Sequence, residues 1–367
     1  MKVYYIGGGY DGCYYVRCLL PLVNAGWDGM VYSLRAKKVS PEQMLQGALA
    51  SDIVVFQRPM QREMVEAAKH LKKVGKLIVM DNDDTYKDNA GVQHKFTGTN
   101  NMKKVTEHAK KIDSVLKEFA EVADMITVST EVLAKEYREI HDNVVVLPNC
   151  IDPDYWPEPK RHNGKVRIGF AGSVIQTKDF YEIEPLIRKL GQREDVEIVI
   201  FAVPPVSFDT QKVRMLYKKE IKFWKQFKNV YWQHTVNIAD YMETLNKLEM
   251  DIMLIPRTDN YFNRCKSNIK FLEAAMLEIP VVAQAFKDGL SPYQHNPKDA
   301  DFMKLAYNNK EFEKETFKLI EDKAARRKLG KEARKYVLKH YHIKKNLKLW
   351  QKAYETLWRT KHKKTSS

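Results

Sequence analysis

Cysteine is scarce and scattered. The 367-residue sequence has four, Cys13, Cys18, Cys150 and Cys265. None stands in CxxC spacing, which argues against a zinc ribbon or a disulfide framework and points to a reducing, cytoplasmic setting. No apolar run approaches the ~20 residues that a bilayer-crossing helix needs. The opening MKVYYIGGGYDG enters a strand and a glycine turn directly, without a charged leader and apolar h-region. A soluble or at most peripheral protein is expected. Acidic residues are in deficit, with 62 Lys and Arg against 47 Asp and Glu, a net charge of +15. That surplus points to a polyanionic partner, and nucleic acid, an anionic membrane surface and phosphate-bearing substrates all remain open. Apolar residues are plentiful at 44%, 11% of the chain being aromatic. The length fits two packed domains better than one.

The first part reads as a βα rhythm. Lys2 to Ile6 is a buried strand, Gly7-Gly8-Gly9 a tight turn that lets backbone approach a ligand, and Cys13 to Ala25 a helix. The glycine spacing from Gly7 to Gly12 is by itself a weak dinucleotide signal. Strands follow at Val31 to Leu34, Ile53 to Phe56 and Lys76 to Met80, with helices from Pro41 and over Arg62 to Lys73. Gln57-Arg58-Pro59 and Asp81-Asn82-Asp83-Asp84 stand at strand C-terminal ends, where open parallel sheets place their ligands. The carboxylates there suit a divalent cation, sugar hydroxyls, a catalytic base or a plain turn. Thr85 to Asn101 is polar and aperiodic, a substrate-selecting loop.

A helix over Lys103 to Val122, the strand around Ile126, a helix from Glu131 and the strand Val144 to Leu147 close this unit, assigned to 1–155. The Pro-rich segment 156–164 is a linker. A second unit, 165–343, restarts the rhythm with strands Val166 to Phe170, Val196 to Phe201, Val230 to Gln233 and Asp251 to Ile255. Helices lie between them at Asp179 to Leu190, Lys212 to Phe227 and Ile238 to Leu248. The strongly basic end, Phe312 to Lys364, is helical; Leu347, Trp350, Tyr354, Leu357 and Trp358 form a stripe, and 361–367 is a basic tail. The fold class expected is α/β, with two doubly wound domains facing across a cleft.

The most informative stretch is Lys266 to Ala283, KSNIKFLEAAMLEIPVVA. Lys266 and Lys270 are four apart and share a face if helical, beside the positive end of the helix dipole, which makes an anion site. Glu273 lies on the neighbouring part of that face, and a carboxylate there can accept from both hydroxyls of a ribose. A nucleoside diphosphate across a helix start satisfies both features. An amphipathic helix with solvated lysines explains the same spacing.

ADMITVSTEVLAKEY followed by VVVLPNCID, then VRIGFAGSVIQTKDFYEIEPLI and LEAAMLEIPVVA, resemble in order the motifs of the retaining glycosyltransferases with the GT-B fold. The resemblance implies transfer of a sugar from a nucleotide-diphosphate sugar, a UDP-sugar such as UDP-glucose being favoured. No separate cofactor and no divalent metal are expected. It places Gly172, Ser173 and Lys178 against the donor diphosphate, as it does Lys266, Ser267, Asn268 and Lys270. Thr235 and Val236 fall at the base and Glu273 at the ribose, while the last helix braces the first domain. Gly8 and Gly9 lie at the ligand edge of that domain. Lys266 stabilises the leaving group, and Asp83 or Asp84 orients the acceptor. One departure stands out: relatives often carry E-x7-E, and Cys265 occupies the first position. The preferred acceptor is a hydroxylated base in DNA, flipped from its stack; the alternatives are a lipid-linked or cell-surface glycan, or a non-catalytic nucleotide- or nucleic-acid-binding protein.

Overall fold

The computed structural model describes residues 1–7, 11–33, 41–87, 102–172, 174–202, 218–294 and 301–364, with backbone alone at 28–33, 41, 102, 174–178 and 362–364. The first domain is a six-stranded sheet of β1 (Lys2–Gly7), β2 (Asp28–Ser33), β3 (Ile53–Gln57), β4 (Leu77–Asn82), β5 (Met125–Val128) and β6 (Val144–Val146), in the order β2-β1-β3-β4-β5-β6. Every pairing is parallel. Parallel sheets are covered on both faces, so their strands must be apolar almost throughout. IVVFQ of β3 and LIVMDN of β4 are accordingly buried at every position. Their polar residues sit only at the C-terminal ends.

Helix α1 runs through Gly12–Tyr14, a π turn at Tyr15–Leu19, and Leu20–Ala25. The π turn has a local cause. Pro21 has no N–H to give the Arg17 carbonyl, and the Leu20 amide reaches back to Tyr15 O instead. Helices α2 (Pro41–Leu49), α3 (Arg62–Lys73), α4 (Met102–Val122) and α5 (Glu131–Tyr137) complete this domain.

The second domain holds β7 (Val166–Ala171), β8 (Val196–Phe201), β9 (Val230–Gln233), β10 (Ile252–Ile255), β11 (Val281–Gln284) and β12 (Lys304–Ala306), again all parallel, in the order β12-β11-β10-β7-β8-β9. Its helices are α6 (Glu184–Leu190), α7 (Lys218–Trp224), α8 (Ile238–Lys247), α9 (Tyr261–Cys265), α10 (Ile269–Met276), α11 (Asn309–Glu321) and α12 (Lys323–His340). One expectation needs adjusting, and one strand was not expected. The helix read from Asp179 is a 3-10 segment, Val174–Ile183, before α6 begins next to Pro185. Strand β12 is too short and mixed, KLA, to announce itself. The basic helix read from Lys212 lies outside the described residues up to 217.

Helix α13 (Ile343–Lys364) returns to the first domain and packs on the Leu20–Ala25 part of α1. Trp350 and Tyr354 are each 1% exposed. The Tyr354 ring lies 5.2 Å from Trp27, and its hydroxyl is 3.4 Å from that of Tyr5. Ile343 N–H donates to Ile151 O, and Ile151 N–H to Tyr341 O, each at 2.8 Å.

Candidate active site

In a doubly wound sheet the ligand crevice opens where the strand order reverses. The first sheet reverses between β1 and β3, whose ends lead to Gly7 and to Gln57-Arg58; β4 delivers Asp81 to Asp84 alongside. The second reverses between β7 and β10, at Gly172 and at Pro256-Arg257.

Arg58 organises the first of these edges. Its backbone is left-handed, φ 52°, a conformation that costs a non-glycine residue about 1 to 3 kcal/mol. In exchange its guanidinium spans both acids: Nε donates to Asp83 Oδ1 at 2.6 Å and Nη2 to Asp84 Oδ2 at 2.7 Å. Nη2 also lies 3.0 Å from Cys13 Sγ. Burial pushes the Asp83 carboxyl up, but Arg58, a hydrogen bond from Cys13 and the charge of Lys266 outweigh it and hold it at about 2. An acid held that low is a poor proton acceptor near neutrality and a good fixed charge. Lys266 reaches from the second domain to pair with Asp84 Oδ1, its ammonium also 4.1 Å from the Phe262 ring centroid.

A second arginine lies behind the first. Arg17, fully buried on the π turn, donates to both Asp81 oxygens, from Nε at 3.1 Å and Nη2 at 2.6 Å. Its Nη1 meets Leu147 O and, at 3.1 Å, Asn149 Oδ1. Thr127 donates to the same Asp81 at 2.7 Å. Asn149 Nδ2 then crosses the cleft to Ser267 Oγ at 2.9 Å. A buried bidentate pair with all three guanidinium nitrogens engaged is rigid. It fixes PNCID of the first domain against KSN of the second.

The start of α10 corrects one expectation. Lys266 and Lys270 do not share a helical face. Lys266 is the extended C-cap of α9, φ −64° and ψ 151°, and α10 begins only at Ile269 after the N-cap Asn268. The two ammonium groups therefore enter different networks. Lys270 Nζ contacts Glu273 Oε2 at 2.8 Å and the Tyr241 hydroxyl at 3.1 Å, and that hydroxyl donates to the same Glu273 oxygen at 2.8 Å. Burial alone would lower the Lys270 ammonium, but Glu273 and Tyr241 raise it, so the charge is retained. Tyr241 comes from α8 and stacks on Phe201 at the end of β8, 5.2 Å between centroids and 17° between planes. That ties Glu273 to the C-terminal end of β8; in the turn at 234–236, Thr235 is exposed and Val236 packs on the core.

The other expected positions divide as follows. The Gly172 amide donates to Phe201 O at 3.0 Å and so is committed to the sheet. Gly8, Gly9 and Ser173 lie outside the described residues, and Lys178 is described only in its backbone. Cys265 is 1% exposed, packed with residues of the first domain's core, its thiol pushed up to about 12 by burial. Thr130 Oγ1 donates to its carbonyl at 3.0 Å, and Tyr261 donates to Glu136 at 2.9 Å, both bonds joining the two domains. Among the described residues no group of three or more His, Cys, Asp and Glu side chains is arranged to hold a metal ion. Sequence reasoning gave no role to Arg17, Asn149 or Tyr241; PNCID was visible as a motif, but the partners of Arg17 are 64 to 132 positions away.

Residues 182–352 match a family model described as glycosyl transferase-like. The chain has the GT-B fold, and its second half resembles a glycosyl transferase-like domain. Solved glycosyltransferase-type structures match over nearly all of its length. Sucrose-phosphate synthase of Thermosynechococcus elongatus matches with TM-score 0.66 at 12% identity, over 98% of this chain and 100% of that one. HepE of Anabaena, solved with UDP and glucose, matches with TM-score 0.65 at 11% identity, over 97% and 99%. A glycosyltransferase of Rickettsia africae matches with TM-score 0.62 at 11% identity, over 97% and 98%. Identities this low carry the fold and no more. No curated protein matches the chain in sequence.

Proposed function

We propose that the enzyme transfers a sugar from a UDP-sugar to a hydroxyl acceptor with retention of anomeric configuration. The donor diphosphate lies at the start of α10, near Lys266, Ser267, Asn268 and Lys270, and Glu273 receives the ribose hydroxyls. The observation that carries the reading is the Tyr241–Lys270–Glu273 cluster, which joins α8 to α10, and α10 follows in sequence a lysine that pairs across the cleft with Asp84. HepE, bound to UDP-glucose in another structure, supports uridine as the base.

In the reaction the bond from the sugar's anomeric carbon to the diphosphate oxygen breaks, and its electron pair leaves with the diphosphate. The acceptor oxygen bonds to the anomeric carbon on the same face, and its proton passes to the departing phosphate oxygen. Lys266 and the amides at the α10 start offset the growing charge, at about 3 kcal/mol for a preorganised donor. Asp84, and behind it Asp83, orient the acceptor hydroxyl. The +15 charge supports a polyanionic acceptor, with a hydroxylated DNA base the first to try. A thermal-shift screen of nucleoside diphosphates and their sugars tests the donor. A ligand at 100 times its Kd stabilises by about 2.7 kcal/mol. UDP should shift the transition, and a flat response across the whole panel would refute the reading.

A further inference from the structure

One cavity lies away from the cleft. It measures about 760 Å³, within the ~300 to 1,000 Å³ range of small-molecule sites. Leu77 and Met125, at the N-terminal starts of β4 and β5, and Val145 and Val146 of β6 form its floor. Leu349, Ala353 and Leu357 of α13 form the facing wall. β6 is the last strand of its sheet, so among the described residues its outer edge has no strand beside it. The cleft is at the other end of the same strands, roughly 20 Å away at ~3.3 Å per residue along β4.

The rim has one sign. Lys72, Lys76, Lys352 and Lys361 surround the mouth, against the single carboxylate of Asp124. Asp124 is already paired with Lys72 at 3.1 Å, and Lys361 is bonded to Gly75 O. The side-chain ammonium groups of Lys76 and Lys352 have no hydrogen-bond or ion-pair partner among the described residues, the Lys76 amide alone donating to Leu71 O. Two unpaired ammonium groups over an apolar floor disfavour a neutral or cationic occupant. The β6 edge is only three residues long, which gives an added peptide strand little to pair with.

We propose that this cavity takes one alkyl chain of an anionic membrane lipid, with the headgroup phosphate between Lys76 and Lys352, and so seats the enzyme on an anionic bilayer by its α13 side. The proposal is independent of the donor reading, because it uses none of the cleft residues.

The test uses the full chain with two probes: dodecyl phosphate below its micelle concentration, followed by calorimetry, and vesicles of phosphatidylcholine with and without phosphatidylglycerol, followed by cosedimentation. Dodecyl phosphate should bind once per chain, whereas inorganic phosphate and dodecyl maltoside should not. Only the phosphatidylglycerol vesicles should retain the protein. Lys76→Glu with Lys352→Glu should weaken both interactions about thirtyfold or more, at about fivefold per lysine near an anionic surface. Ala353→Trp, which puts an indole against the apolar floor where the alkyl chain would lie, should weaken dodecyl phosphate binding. UDP affinity and the far-UV circular dichroism of both variants, measured alongside, report that the fold is intact. Equal binding by wild type and the lysine variant would overturn the proposal. So would dodecyl phosphate binding without vesicle retention, or retention on neutral vesicles.

Discussion

Asp84→Asn should make UDP bind more tightly. With no donor present Lys266 is held by Asp84 across the cleft, and the diphosphate has to take it away. The two side chains are 21% and 13% exposed. Their pairing therefore falls between the ~0.2 to 1 kcal/mol of an exposed pair and the 3 to 5 kcal/mol lost on breaking a buried one. About 1 to 2 kcal/mol is reasonable, so removing the competitor should improve UDP affinity about 5- to 30-fold. Folding should suffer little, because Arg58 keeps its contact with Asp83. Turnover should nevertheless fall, since the acceptor loses its orienting carboxylate. Isothermal calorimetry of UDP on wild type, Asp84→Asn, Lys266→Ala and the double variant closes the cycle. The gain must vanish in the Lys266→Ala background. Unchanged or weaker UDP binding in Asp84→Asn, or the same gain without Lys266, would refute the competition.

Three further outcomes follow from the packing. Asp83 has a depressed folded-state pKa, about 2 against the usual 3.8, so its stabilisation is fully present above pH 3.8 and is lost as pH falls through 2. That window holds about 2 kcal/mol, and Arg58→Ala should flatten the corresponding acid limb of a stability-versus-pH curve measured in urea. Trp350→Ala should cost about 3 to 5 kcal/mol by urea denaturation, because a fully buried aromatic side chain of α13 is deleted from its contact with the first domain. Gly330→Ala should cost about 1 to 3 kcal/mol or more, since an added Cβ would lie 1.9 Å from the Glu278 carbonyl oxygen, which is backbone and has no side-chain freedom to yield.

The sheets were legible because burial on both faces demands apolar runs such as IVVF and LIVM, and these are visible without tertiary information. The ligand edge was legible for the same reason: polar residues directly after such runs, at Gln57-Arg58 and Asp81 to Asp84, have to lie at strand ends. Spacing misled at Lys266 and Lys270. A four-residue interval implies one helical face only if the helix is unbroken, and here α9 ends at Cys265 with Lys266 extended. The π turn was hidden because a proline within a helix has several local solutions, and the position of Arg17 depends on which is adopted. Tyr241 carried no signal at all. Its partners, Lys270, Glu273 and Phe201, come from other elements, and only the packed fold brings them together.

The central claim is that Glu273 receives the ribose of a uridine nucleotide, and sugar-edge discrimination measures it directly. Calorimetry with UDP and 2′-deoxy-UDP should give wild type a preference of about tenfold or more for UDP, because a hydrogen bond to a charged group is worth about 1.5 to 3 kcal/mol. Glu273→Ala should bind the two nucleotides alike. A preference for UDP that survives in Glu273→Ala, or that is absent from wild type, would contradict the account.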